Sequence, residues 1–207
     1  MNNLSKFLLL PLFTLLLLSG CSESNQPIEG KQFSLLPTAI TSDFLAPVTE
    51  VFSLSCGHCR TLEAFLPTIK KQINTDIDKL HVTFNDSAKV SALLYYSAVM
   101  QLNKVPETAF MEQLFSAVQE SEEQTITQQQ ATIELVFTNH NLISPYQFTN
   151  IQQKALLQMI NSAEKITVAA KINAVPTFIV NGKYQVLISG HENPDEIANT
   201  INYLLNE

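Results

Sequence analysis

The chain has 207 residues, 45% of them hydrophobic, and its 19 acidic against 12 basic side chains give a net charge of −7. An acidic chain with no basic cluster argues against a nucleic-acid partner, and the length suits one domain with a substantial core and room for an inserted subdomain. No internal repeat organises the sequence, and its three cysteines, Cys21, Cys56 and Cys59, divide into two separate chemistries.

In chain order the first element is an export leader. Lys6 precedes the apolar stretch Phe7 to Leu18, too short to span a bilayer comfortably, and Ser19-Gly20 follows. Leu18-Ser19-Gly20-Cys21 resembles the bacterial lipobox, which implies that residues 1–20 are a lipoprotein signal peptide and that Cys21 is lipidated. The mature protein is then expected in the periplasm, bound to the membrane through a lipid anchor, and Ser22 favours the outer membrane over the inner one. Residues 21–29 read as the anchor and a polar, flexible linker. Loss of residues 1–20 removes Lys6 alone and takes the charge from −7 to −8.

The folded part is expected over 30–207. An edge strand expected at Gln32–Leu36 is followed by an apolar strand, Val48–Leu54, that runs into Cys56-Gly57-His58-Cys59. Leu62, Phe65, Leu66, Ile69 and Ile73 then repeat at helical spacing, predicting a helix from Cys59 to about Asn74 that Pro67 kinks. A third strand at Leu80–Phe84 closes a β-α-β unit. From about 87 to 170 the pattern is helical throughout, punctuated by Pro106 and Pro145. Thr177–Val180 and Tyr184–Ile188 flank Asn181-Gly182, a strong hairpin signal, and a last helix runs from Pro194 to Leu205 with Asn193 as its cap. The order β-β-α-β, helical block, β-β-α predicts an α/β thioredoxin fold with an inserted helical subdomain.

The Cys-x-x-Cys motif carries the chemistry. Unpaired N–H groups and the positive end of the dipole at a helix N-terminus favour a thiolate at Cys56, which reads as the attacking sulfur. Cys59, one turn further in, is the resolving thiol, and His58 adds positive charge beside Cys56. A zinc site would have to recruit scattered histidines such as His81, His140 or His191, and c-type haem is excluded because Arg60, not histidine, follows the motif. A purely structural disulfide closing so short a loop would constrain the unfolded chain little. Neither a metal nor another cofactor is implied. In an oxidising compartment, a pair with no other bridge beside it suits a catalyst of disulfides rather than a user of them. His81 reads as a strand residue with a satisfied hydrogen bond. Glu50 shares a strand face with Val48, Phe52 and Leu54, where an unpaired carboxylate would have a raised pKa and could take the Cys59 proton.

Several segments together resemble the DsbA-type thiol:disulfide oxidoreductases over about residues 30–205. They are Glu50-Val51-Phe52-Ser53 before the motif, His81-Val82-Thr83-Phe84, and Val175-Pro176 followed by Phe178-Ile179-Val180-Asn181-Gly182-Lys183-Tyr184. The resemblance implies that Pro176 is cis and lies opposite the cysteines, that Val175 and Pro176 receive an extended substrate, and that Glu50 serves Cys59. It further implies a monomer that donates its Cys56–Cys59 disulfide to reduced or unfolded exported proteins through a mixed disulfide, reoxidised by a membrane partner of DsbB type. Two residues depart from the common pattern: Ser55 replaces a frequent aromatic, and Gly57 replaces proline, giving the dipeptide of protein disulfide isomerase. The isomerase is about 60 mV more reducing than DsbA, so a milder oxidant is one expectation. A reductase, an isomerase and a non-catalytic peptide-binding chaperone remain alternatives.

Overall fold

The computed structural model describes residues 26–121 and 123–207; the leader and Cys21 lie outside the described residues. Five strands form one mixed sheet in the order β1-β5-β4-β2-β3, with β1 at Phe33–Leu35, β2 at Val48–Phe52, β3 at Asp78–His81, β4 at Thr177–Val180 and β5 at Tyr184–Val186. β2 runs parallel to β3 and antiparallel to β4, so every residue of β2 is buried between neighbours. The insertion between β3 and β4 contains α3 (Asp86–Leu102), α4 (Thr108–Gln119), α5 (Ile126–Asn139) and α6 (Asn150–Ala169). This is the thioredoxin fold with an inserted helical subdomain.

The stretch expected as one kinked helix is two, α1 (Gly57–Glu63) and α2 (Leu66–Ile73). Pro67 has no N–H to offer the Glu63 carbonyl, which ends α1, and in the first turn of α2 that same lack costs little. α2 stops at Asn74 in a left-handed conformation, φ 49°. The last helix, α7 (Pro194–Leu205), begins where the sequence places it, with the Asn193 side chain accepting from the Glu196 N–H at 3.0 Å. In the β4–β5 turn, Gly182 has φ +62° and a Cβ there would lie 2.1 Å from the Ile40 carbonyl oxygen, so only glycine fits.

Two apolar clusters hold the layers together. One packs Val48, Phe178, Val180 and Val186 against Leu66, Ile69 and Ile73 of α2 and Ile197, Ile201 and Leu204 of α7. The other joins Phe52, Leu54, Cys59 and Leu80 to Tyr95, Phe110, Leu114, Phe115 and Phe137 of the insertion, so the helical subdomain packs directly behind the redox motif.

β3 lies two residues earlier than the sequence pattern suggests, and as the outer strand of the sheet it would expose unpaired backbone groups. The insertion covers them. Tyr96 accepts from the His81 N–H at 3.0 Å and donates to the His81 carbonyl at 3.4 Å, and Tyr95 donates to the Lys79 carbonyl at 3.3 Å. Both rings are buried. β4, by contrast, is an inner strand and not an edge, so Pro176 stands just outside its ladder, at the point where pairing with β2 begins. Tyr96→Phe leaves a buried N–H without a partner and should lower unfolding stability by about 1–3 kcal/mol in urea titration, with faster hydrogen exchange at the His81 amide.

Candidate active site

Cys56 is the N-cap of α1. Its backbone is extended, φ −98° and ψ 113°, and its Sγ accepts from the Cys59 N–H at 3.2 Å. The same geometry that caps the helix therefore aims an orphan backbone donor at the sulfur. Cys56 is half-buried while Cys59 is fully buried, and both thiols are free. The two environments push the thiols apart. The hydrogen bond from the Cys59 side chain is the largest influence on Cys56; with the backbone N–H groups and the charge of exposed His58 it outweighs burial and lowers the Cys56 pKa from 9.0 to about 6. Burial, reinforced by the hydrogen bond to Cys56, raises Cys59 far above the ordinary thiol range.

The loop that presents Cys56 is fixed from three sides. The Leu54 N–H donates to His81 Nε2 at 2.9 Å, and His81 Nδ1 donates to the Val82 carbonyl at 2.7 Å. That pairing requires a neutral ring, and complete burial drops the His81 pKa to about 3, so the ring stays neutral throughout the physiological range. Gln119 of α4 donates through Nε2 to the carbonyls of Leu54, at 2.7 Å, and Cys56, at 3.2 Å. The Cys56 N–H donates to the Ser53 carbonyl at 3.0 Å. Opposite the sulfur, the Val175 carbonyl lies 3.6 Å from Cys56 Sγ and the Val175–Pro176 peptide is cis. An apolar groove of about 590 Å³ opens beside these atoms, lined by His58, Phe65, Val175, Pro176, Leu187 and Ile197.

Glu50 is fully buried, as its face of β2 suggests, but it is not unpaired. Lys79, its register partner on β3, donates to Glu50 Oε2 and also to Glu63 Oε2, the latter at 2.7 Å. Glu50 Oε1 is left buried with no hydrogen-bond partner. Burial raises the Glu50 pKa and the nearby Glu63 adds to it, while Lys79 opposes both. Burial also works against the Lys79 charge, yet the two carboxylates outweigh it and raise the lysine pKa, so the ammonium persists. The charge of Glu50 lifts the Cys59 thiol further, which places this cluster electrically against the inner sulfur.

The structure thus gathers Cys56, His58, Val175 and Pro176 at one surface, with Cys59 below them and Glu50 in a cluster behind. Cys21 lies outside the described residues; His140 lies apart against Gln113, while His191 lines the same groove as Val175 and Pro176, its Nδ1 donating to the Leu187 carbonyl at 2.9 Å and its Nε2 bonded to the Thr200 hydroxyl at 2.8 Å. Sequence reasoning missed Lys79, Glu63 and Gln119. Only the strand register could have singled out Lys79, and nothing local marks Gln119.

The thioredoxin family model matches residues 44–203. The chain belongs to the thioredoxin family. Within it the protein is DsbA-like: the thiol:disulfide interchange protein DsbA of Salmonella typhimurium is 26% identical over 203 residues, covering 93% of this chain and 95% of that one. DsbA of Escherichia coli K12 is 27% identical over 201 residues, covering 91% and 93%. Among solved structures, Pseudomonas aeruginosa DsbA superposes with a TM-score of 0.68 at 19% identity, over 87% of this chain and 93% of that one. Proteus mirabilis DsbA carrying a non-covalently bound peptide does so with 0.63 at 20% identity, over 88% and 100%. Family membership and the reactive pair together make this a disulfide oxidoreductase of DsbA-like kind.

The low Cys56 pKa couples redox state to stability. Between about pH 6 and 9 the unfolded thiol holds a proton that the folded thiolate has released, so the reduced protein gains stability as pH rises across that window and loses it again as pH falls through 6. Thermal melts of the reduced DsbA-like protein should show this rise, and Cys56→Ser should remove it.

Proposed function

We propose that this DsbA-like protein is a periplasmic oxidant, tethered through lipidated Cys21, that donates its Cys56–Cys59 disulfide to reduced exported proteins. The observation that carries this reading is the asymmetry of the pair: an accessible sulfur stabilised as thiolate above a buried one that is not. A low-pKa outer thiol stabilises the reduced pair, which makes the disulfide form readily reduced and hence oxidising.

A client thiolate attacks Cys56 Sγ, the Cys56–Cys59 bond breaks, and Cys59 leaves with the electron pair and takes up a proton. Glu50, whose pKa burial raises and whose charge acts on Cys59, supplies that proton; during reoxidation it accepts one from the Cys59 thiol, with Oε1 free to hold it. A second client thiolate then attacks the client sulfur of the mixed disulfide, and Cys56 departs as thiolate. The client gains a disulfide and the protein is left as a dithiol. The Val175 backbone and the apolar groove suit an extended client segment lying across Pro176, and His58 favours the thiolate from the rim. Reoxidation falls to a membrane partner of DsbB type.

Among the described residues no helix is long and apolar enough to cross a membrane. A lipid at Cys21, with the polar segment Ser22–Pro27 behind it, would hold the catalytic domain near the bilayer without a span. No metal or other cofactor enters this scheme.

Cys56→Ser should abolish oxidation of reduced model proteins. Cys59→Ala should accumulate mixed disulfides with clients, visible as thiol-sensitive adducts on non-reducing gels. Unchanged thiol oxidation by the Cys56 variant would overturn the assignment. For the tether, Cys21→Ala should move the protein from the membrane fraction to the soluble periplasmic extract and abolish incorporation of labelled palmitate; continued fractionation with membranes would count against lipid anchoring.

A further inference from the structure

Arg60 lies one helical turn beyond Cys56, with its backbone N–H donating to the Cys56 carbonyl at 3.2 Å. Residues four apart share a helix face, so a free guanidinium here would bring a cation to the reactive sulfur's side of α1. Instead the insertion holds it. Arg60 Nε lies 3.0 and 3.3 Å from the two carboxylate oxygens of Glu112, Nη2 bonds to Glu112 as well, and Nη2 lies 2.8 Å from Glu120 Oε1. Glu120 is steadied by the Ser116 hydroxyl at 2.7 Å. Glu112, Gln119 and Glu120 recur seven and eight residues apart along one face of α4, the face whose Gln119 also binds the Cys56 carbonyl.

One guanidinium against two carboxylates leaves this group with a net charge of −1. Among the described residues, the other ionisable groups near Cys56 are His58 and Cys59 on its own helix and the Glu50–Lys79–Glu63 cluster behind Cys59, while His191 and Glu192 line the groove across Val175 and Pro176. The segment from Ala174 to Thr177, which faces the sulfur, carries no ionisable side chain. The Arg60 group is a direct contact between the insertion's charges and the redox helix.

We propose that Arg60, Glu112 and Glu120 form a charge-balancing triad through which the helical insertion holds down the oxidising strength of the Cys56–Cys59 pair. Glu112 and Glu120 are positioning residues: they draw the guanidinium onto α4 and replace a cation near the thiolate with a net anion. The proposal rests on Cys56 being the attacking thiolate. Both measurements below are made on the pair itself, so a failure to oxidise clients would not bear on them.

The test compares Glu112→Gln/Glu120→Gln, Arg60→Gln and the triple variant with the parent chain. Cys56 ionisation is followed by alkylation rate against pH, and the pair is equilibrated with glutathione. Removing the two carboxylates should move Cys56 ionisation to lower pH and favour the reduced pair by about three- to tenfold, the scale expected of partly solvated charges. Arg60→Gln should move both readouts the opposite way, the triple variant should fall between them, and Arg60→Lys should stay near the parent. All shifts should shrink at ~1 M salt, where screening acts over about 3 Å. Unchanged values, or shifts of one sign in both the arginine and glutamate variants, would overturn the proposal.

Discussion

The backbone N–H of Cys59, pointing at Cys56 Sγ from inside the first turn of α1, is the constraint on which the site depends. It exists because a helix starts with donors that have no carbonyl to meet, and because Cys56 occupies the cap with an extended backbone. To keep that cap in place, the preceding loop must not move. Its Leu54 N–H is held by His81 and its Leu54 carbonyl by Gln119, one partner from the sheet and one from the insertion. The apolar residues on either side give these bonds a dry setting, where a polar group without a partner is costly. Thiolate character at Cys56 is thus a property of the β2–α1 junction as much as of the sulfur.

His81 shows how far the support extends. Its ring is neutral because it is fully buried, and neutrality lets one nitrogen accept from Leu54 while the other donates to Val82. Protonation would convert the acceptor into a donor facing a donor. The strand that carries His81 is in turn closed by the Tyr96 hydroxyl. A continuous path of hydrogen bonds therefore runs from α3 through β3 to the residue two before the reactive cysteine. The insertion has two structural tasks at once: it closes an exposed sheet edge and it braces the redox loop.

Most of the architecture was legible in the sequence, and the particular residues show why. The Asn181-Gly182 hairpin, the Asn193-capped α7 and the Cys-x-x-Cys at a strand-to-helix junction are local signals, set by φ > 0, cap chemistry and spacing. Boundaries were less legible where a long-range contact decides them. β3 begins at Asp78 because it pairs there with Thr49, and α1 ends where Pro67 withholds a donor from Glu63. Glu50 stood out because it is a carboxylate on an apolar face. Lys79 did not, because its meaning depends on a parallel register that places it directly across from Glu50. Glu63 needed both that register and the helical turn from Cys59. Nothing local marked the part Arg60 plays, since its two partners lie more than fifty residues further along the chain.

The two charge clusters flanking the pair have opposite physical characters. Behind Cys59, Glu50, Lys79 and Glu63 are dry, so their charges act strongly, a setting that suits the proton exchange with Cys59 proposed above. Beside Cys56, Arg60, Glu112 and Glu120 are partly in water, so each acts weakly and none is costly to place. A dry cluster suits a group that must change protonation within each turnover. A wet one suits a fixed, weak bias on a thiolate at the surface. Gly57 belongs to the second kind of influence: a Cβ at that position would meet nothing within 4 Å, so the residue between the cysteines adds no packing constraint of its own. The thiolate at Cys56 then draws first on the Cys59 side chain, with the backbone donors of the cap and the charge of His58 behind it, and on the proposal above the insertion's charges set against them.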